Sequence, residues 1–151
     1  MRPSDPLVRH YLASSLVMRL ATVSARAAPS LTPIWFVTVD GRLVSSTGAA
    51  TVAARNIAAG SRVTVLLDGE AAGRSEVVLR LRGTAEVHQG LPPLGVLLRF
   101  GLKYYVSRGG LRSELLHADR WRLRTRYYAQ SSAVWITIEP TAAELIPVPH
   151  T

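Results

Sequence analysis

The chain contains no cysteine. Disulfides, thiolate nucleophiles and cysteine-ligated metal or iron–sulfur centres are therefore excluded. Lysine is nearly missing as well: 17 of the 18 basic residues are arginine. No apolar run approaches the ~20 residues that a membrane-spanning helix needs. There is no internal repeat, no glycine-rich dinucleotide fingerprint and no phosphate loop of the nucleotide-hydrolase kind. The four histidines, His10, His88, His117 and His150, are scattered without metal-ligand spacing. His117 with Asp119 is too little for a site, and nothing singles out a serine for a nucleophilic triad. No acid–base constellation stands out, and no metal site is expected.

What remains is a compact budget of apolar residues. At 151 residues the chain is sized for one domain, read here as 1–151, with enough length for a full core. A hydrophobic content of 48% against 19% charged residues marks it as globular rather than disordered. The N-terminal stretch LASSLVMRLATVSARAAP mimics a secretion signal, but Asp5, Arg9, His10 and Arg19 interrupt it and the same residues read well as a helix followed by a strand. The expectation is a mature, cytoplasmic protein.

The formal charge of +8 is unevenly spread. Between residues 99 and 126 eight bases face two acids, Glu114 and Asp119. An arginine-favouring, GC-rich coding bias is the plain cause. The consequence is physical all the same, because the guanidinium fork binds phosphate and carboxylate bidentately and an ammonium does not.

The densest information lies between Leu16 and Asp68. Leu16 to Ser24 predicts a strand, Leu31 to Val39 a second, and Arg42 to Ser46 a third after the hairpin turn Asp40-Gly41. Read as a β-meander, these three strands precede a short helix over 48–59, ended by Gly60, and a strand from Ser61 to Asp68. In the second strand Ile34, Phe36 and Thr38 share one face, and Trp35, Val37 and Val39 the other. In the short helix Val52, Asn56 and Ile57 are expected to face inward. Ahead of all this, Ser4 caps a helix over 5–14 that carries Leu7, Tyr11 and Leu12 at helical spacing.

Glu76 to His88 is the clearest strand: Leu79, Leu81, Gly83, Ala85 and Val87 alternate with Arg80, Arg82, Thr84, Glu86 and His88. Pro92-Pro93 opens a helix running toward Tyr105, and Gly109-Gly110 breaks it. A second helix is expected over Leu111 to Asp119, followed by the arginine stripe Arg120 to Arg126. Val134 to Glu139 is a strand, Pro140 bends the chain, and Glu144 to Pro147 adds a short edge strand. The fold class is mainly β with α: a six- to seven-stranded antiparallel split barrel with peripheral helices.

The ordered segments LATVS, LTPIWFVTVDGRLVSSTG, ARNIA, RVTVLLD and VLRLRGTAEV resemble the split-barrel flavin-binding family typified by pyridoxamine 5′-phosphate oxidase. The nearest likeness is to the branch that uses the deazaflavin coenzyme F-420. Residues 10 to 90 carry the resemblance. The final strand WITIEP matches loosely, and 91–130 reads as a variable helical insert.

The resemblance implies hydride transfer between F-420, the first choice, or FMN and a small organic substrate. The cofactor brings the reactivity and the protein brings orientation and electrostatics. It also implies a homodimer with cofactor sites at the subunit interface. By the same likeness the ring lies against Pro33, Ile34 and Trp35 and against Ser45, Ser46 and Thr47. The phosphate sits at the start of the short helix near Thr51, where unpaired N–H groups and the positive dipole end favour an anion.

One departure stands out. The family carries a basic residue, often Lys, three positions before the Asn of ARNI, and often an Arg two positions earlier still. Here those positions are Ala53 and Thr51. A phosphate held by backbone alone forgoes charge-assisted hydrogen bonds of roughly 1.5–3 kcal/mol each. Arg55, Arg80 and Arg82, or an arginine of the 120–126 stripe, are the candidates to compensate.

Each candidate also has a plainer reading. Trp35 is either a cofactor wall or a barrel aromatic, and Ser45, Ser46 and Thr47 are either ligand donors or a polar strand end. Arg55, Arg80 and Arg82 are either phosphate ligands or solvated surface. Tyr104 and Tyr105 are either helix core or walls of a substrate pocket. Asn56 reads as a structural tie between helix and barrel. The alternative to an enzyme is a non-enzymatic split-barrel binder of haem, another tetrapyrrole or a small anion. A nucleic-acid module using the arginine stripe with Tyr127 and Tyr128 ranks last.

Overall fold

The computed structural model describes residues 1–106 and 132–149. The expected helix over 111–119, the stripe Arg120 to Arg126, Tyr127 and Tyr128 lie outside the described residues. Seven strands form one antiparallel sheet: β1 (Val17–Val23), β2 (Pro29–Trp35), β3 (Val37–Val39), β4 (Arg42–Gly48), β5 (Val63–Asp68), β6 (Val77–Gln89) and β7 (Ala133–Pro147). Among the described residues three α-helices accompany them: α1 (Pro6–Ser14), α2 (Val52–Ala58) and α3 (Leu94–Gly101). A π-helical turn, Leu102–Val106, extends α3.

The strands lie in the order β2-β1-β5-β6-β7-β4-β3. The two ends of that order, β2 and β3, are neighbours in sequence, separated only by Phe36. The chain thus changes partner at one residue. Up to Trp35 it pairs with β1, and from Val37 it pairs with β4. The sheet curls until its edges meet at Phe36, which gives a barrel split along one seam. This corrects the meander reading, since β2 and β3 are expected as one strand and are instead opposite edges. The face assignment survives the break: Phe36 is fully buried with Ile34 against the main core, while Trp35, Val37 and Val39 join a second cluster.

Local chemistry explains most element boundaries. Asp40 and Gly41 both have positive φ, 49° and 79°, as a two-residue hairpin turn between paired Val39 and Arg42 requires. The first helix starts one residue later than expected, with Asp5 rather than Ser4 at its cap, because Pro6 occupies its first turn. The second helix is shorter than its predicted span, because Thr51 ends the preceding turn and accepts from the Ala54 N–H. Val52 is exposed, contrary to the inward placement expected of it; Ala53, Ala54, Asn56 and Ile57 are the buried residues. Asn56 ties helix to barrel, its Nδ2 donating to Thr22 Oγ1 at 2.9 Å.

The C-terminal strand is a single long element rather than a strand plus a separate edge piece. It runs through Pro140 and pairs with β6 along its length, Thr141 being the extra residue of a bulge opposite Arg82 and Gly83. The strand is central, with β4 on its other side along 133–138. Its inward residues Val134, Ile136 and Ile138 are buried, as are Leu79 and Leu81 of β6, which pair with Leu145 and Ala143 farther along the strand.

Candidate functional site

The split is sealed by the segment that follows Pro92-Pro93. Tyr104 points its hydroxyl into the gap between the strand edges. That oxygen accepts from the Phe36 N–H at 2.8 Å and shares its proton between the carbonyls of Phe36, 2.6 Å, and Leu16, 2.7 Å. Lys103 adds a second bond to the Phe36 carbonyl, at 3.1 Å, and lies 3.7 Å above the centre of the Phe36 ring. Burial lowers the Lys103 ammonium from its ordinary 10.5 to about 8, and burial raises the Tyr104 phenol. The backbone polar groups freed by the partner switch are thus satisfied by two consecutive side chains.

A cavity of about 640 Å³ opens beside this seal. One wall is the strand pair edge, with Pro33, Ile34 and Trp35 from β2 and Ser46 and Thr47 from β4. The opposite wall is α3 and its π-helical extension, through Leu97, Phe100, Tyr104 and Tyr105. Tyr104 stacks flat on Trp35, ring centres 4.5 Å apart and planes 4° from parallel, and Phe100 lies against Tyr104. No lining residue among those described is charged. The space is sized and lined for a planar, mostly apolar molecule oriented by a few hydroxyls.

The ten sequence-derived site residues distribute unevenly about this cavity. Pro33, Ile34, Trp35, Ser46 and Thr47 line it. Ser45 is fully buried behind it and donates to the Trp35 carbonyl at 2.7 Å, fixing the strand edge rather than facing the cavity. Thr51 lies at its margin: Thr47 Oγ1 donates to Thr51 Oγ1 at 3.4 Å, and Thr51 in turn caps α2. Arg55 is exposed on that helix and does not line the cavity. Arg80 and Arg82 lie on the outer face of β6, where Glu144 of the neighbouring strand sits 2.5 Å from Arg80 and 3.7 Å from Arg82. Ala53, where the resemblance expects a lysine, is 1% exposed and packed in the main core.

Tyr104 is buried and also lines the cavity. Leu91, Leu97, Phe100 and Gly101 escaped the sequence reading as site residues. For the last three the signal was present in the leucine-rich run after Pro92-Pro93, but an apolar helix face reads the same whether it borders a core or a cavity. Among the described residues no group of three or more histidine, aspartate or glutamate side chains is arranged to hold a metal.

The pattern of one sequence family, described as pyridoxamine 5′-phosphate oxidase, matches residues 4–105. The chain belongs to that family. The match covers β1 to β6, α1 to α3 and nearly all of the sealing turn. No curated protein matches the chain in sequence. Solved structures share the fold of this pyridoxamine 5′-phosphate oxidase relative. An F-420 reductase is 20% identical, with a TM-score of 0.57, over 89% of this chain and 93% of its own. The conserved hypothetical protein Rv2991 from Mycobacterium tuberculosis is 22% identical with a TM-score of 0.64, over 98% and 90%. HutZ, the heme storage protein from Vibrio cholerae, is 17% identical with a TM-score of 0.61, over 97% and 95%.

Proposed function

We propose that the protein is a cytoplasmic oxidoreductase that holds F-420 or FMN in the cavity between β2, β4 and α3. The observation that carries this reading is the cavity itself: uncharged, aromatic on one side, bounded by strand backbone and by Ser46 and Thr47 on the other. Those residues fit a fused planar ring. The bound coenzyme would supply hydride transfer, which is why the chain needs no acid–base pair of its own. Pro33 to Trp35 bound the ring edge, Ser46 and Thr47 orient it, and Phe100 and Tyr104 keep water from its apolar side. A small organic substrate would enter at the open side near Leu91 and Tyr105.

A homodimer belongs to the same proposal. Leu31, Leu91, Leu94 and Leu98 are between 55% and 72% exposed, and Val17 and Leu97 combine exposure with a place in the cavity wall. A second copy that covers them would turn an open cleft into a closed site.

The second reading is a binder without catalysis. It is favoured by Ala53, since the phosphate-holding position of the family is a sealed alanine here and the described cavity wall offers no cation. Titration of the purified protein with FMN and with F-420 separates the two. Micromolar binding of either, weakened at least tenfold by Ser46→Ala with Thr47→Ala, supports the oxidoreductase. No binding of either at high micromolar concentration removes it. Light scattering that gives a monomer contradicts the dimer.

A further inference from the structure

The π-helical turn Leu102–Val106 reaches both the cavity and the barrel seam through a single side chain. The ring of Tyr104 lines the cavity and lies flat on Trp35. The hydroxyl of the same residue bonds to the Phe36 N–H and to the carbonyls of Phe36 and Leu16. A phenol is rigid, so its oxygen cannot leave the junction while the ring keeps its place on Trp35. Short π-helical turns are concentrated at functional sites.

The junction that this hydroxyl holds lies outside the sheet ladder. Pairing with β1 stops at Trp35 and pairing with β4 starts at Val37, so Phe36 itself has no partner strand. Two arrangements of the turn therefore differ at both places at once. In the closed one, the Trp35–Tyr104 stack is a continuous wall of the cavity and the Phe36 N–H is bonded. In an open one, reached by local fluctuation, the hydroxyl has left the junction, the wall is broken and the Phe36 N–H is free to exchange with water. A planar occupant of the cavity has contacts with the closed wall that the broken wall cannot give. A ligand shifts an equilibrium by that difference in affinity and by nothing else.

We propose that this turn is a latch: filling the coenzyme cavity holds Tyr104 in the junction and so locks the barrel seam at Phe36. The latch rests on the coenzyme reading given above and adds to it a coupling between the site and the closure of the fold. Where the open arrangement does not bind coenzyme, the open population falls by the factor 1 + [L]/Kd, about a hundredfold at a ligand concentration of about 100 Kd.

The test is amide hydrogen exchange of the intact, isotope-labelled chain, read by NMR without ligand and with FMN or F-420 at about 100 times the Kd found by titration. With coenzyme bound, the Phe36 N–H should exchange at least about tenfold more slowly, up to the limit of about a hundredfold. The Val148 N–H, bonded to the Glu76 carbonyl at the end of the β6–β7 pair away from the cavity, should change less than about twofold. Tyr104→Phe keeps the ring and removes the tie to the junction. In that variant, filled to the same multiple of its own Kd, the Phe36 N–H should exchange faster than in the parent and slow by less than about threefold on binding. The latch is overturned, and the coenzyme reading stands, if a coenzyme binds and the Phe36 N–H slows no more than that of Val148, or if Tyr104→Phe shows the same slowing as the parent. Failure of both coenzymes to bind overturns the latch and the coenzyme reading together.

Discussion

Removing one oxygen atom should loosen the barrel at its seam. In Tyr104→Phe the ring stays and keeps its stack on Trp35, so the apolar burial is unchanged. What disappears is the acceptor of the Phe36 N–H and the donor shared by two carbonyls. Phe36 is fully buried, and the Tyr104 hydroxyl is the described partner of its N–H. An orphaned buried donor costs about 1–3 kcal/mol, and the lost donation about 0.5–1.5 kcal/mol more. The Phe36 carbonyl retains Lys103, which limits the second part. The expected destabilisation is therefore about 2–3 kcal/mol, which in a domain of this size lowers Tm by roughly 5–10 °C. Thermal melts followed by far-UV circular dichroism measure it, with near-UV circular dichroism to verify that the Trp35 stack persists. A Tm within about 1 °C of the parent, with the stack intact, would refute the idea that this hydroxyl closes the split. A double-mutant cycle with Lys103→Met should show coupling, because both side chains serve the same carbonyl.

Tyr11→Phe is the matched opposite: that hydroxyl is buried without a hydrogen-bond partner among the described residues, so its removal should leave Tm unchanged or raise it, by up to about 1 kcal/mol in chemical denaturation. Stability should rise between pH 8 and 10, since Lys103 titrates at about 8 in the fold and near 10.5 when unfolded. The unfolded chain then holds more protons across that window, and urea melts at several pH values should lose most of the slope in Lys103→Met. Above pH 10 the raised Tyr104 phenol opposes the trend, because only the unfolded tyrosine ionises there. Gly83→Ala should cost at least about 2 kcal/mol by thermal melt, because a methyl there would sit 2.1 Å from the Glu139 carbonyl oxygen across the bulge.

The parts of the fold that sequence periodicity reveals are those in which face alone matters. Leu79 and Leu81 against Arg80 and Arg82 declared β6, and Asp40-Gly41 declared the hairpin, because alternation and positive φ are local properties. The break at Phe36 was invisible for the same reason. Alternation continues unbroken from Ile34 to Val39 and says which side each residue faces, but not which strand lies beside it. Val52 points outward because the buried face of this seven-residue helix is formed by Ala53, Ala54, Asn56 and Ile57, and the first position lies to one side of it. Of the cavity wall, the strand residues Pro33 to Trp35, Ser46 and Thr47 were named through family likeness. Phe100 and Lys103 were not, and neither was the seal that Tyr104 makes, because Tyr104 and Lys103 bond to the backbone of residues far away in sequence, and such contacts leave no pattern in the chain. Five of the proposed residues lie elsewhere: Ser45 behind the strand edge, Thr51 at a cap, and Arg55, Arg80 and Arg82 on outer surfaces.

The placement of β7 has a consequence for assembly in time. Residues 133–147 emerge in synthesis after the other six strands, yet they occupy the middle of the sheet, between β6 and β4. Until they emerge, the hairpins β1–β2, β3–β4 and β5–β6 can each form from near neighbours, but β4 and β6 present two unsatisfied edges facing one another across an empty slot. Such edges are templates for pairing with other molecules. The nascent protein is thus most vulnerable to aggregation just before its last strand is released, and that strand completes the barrel as a keystone does an arch.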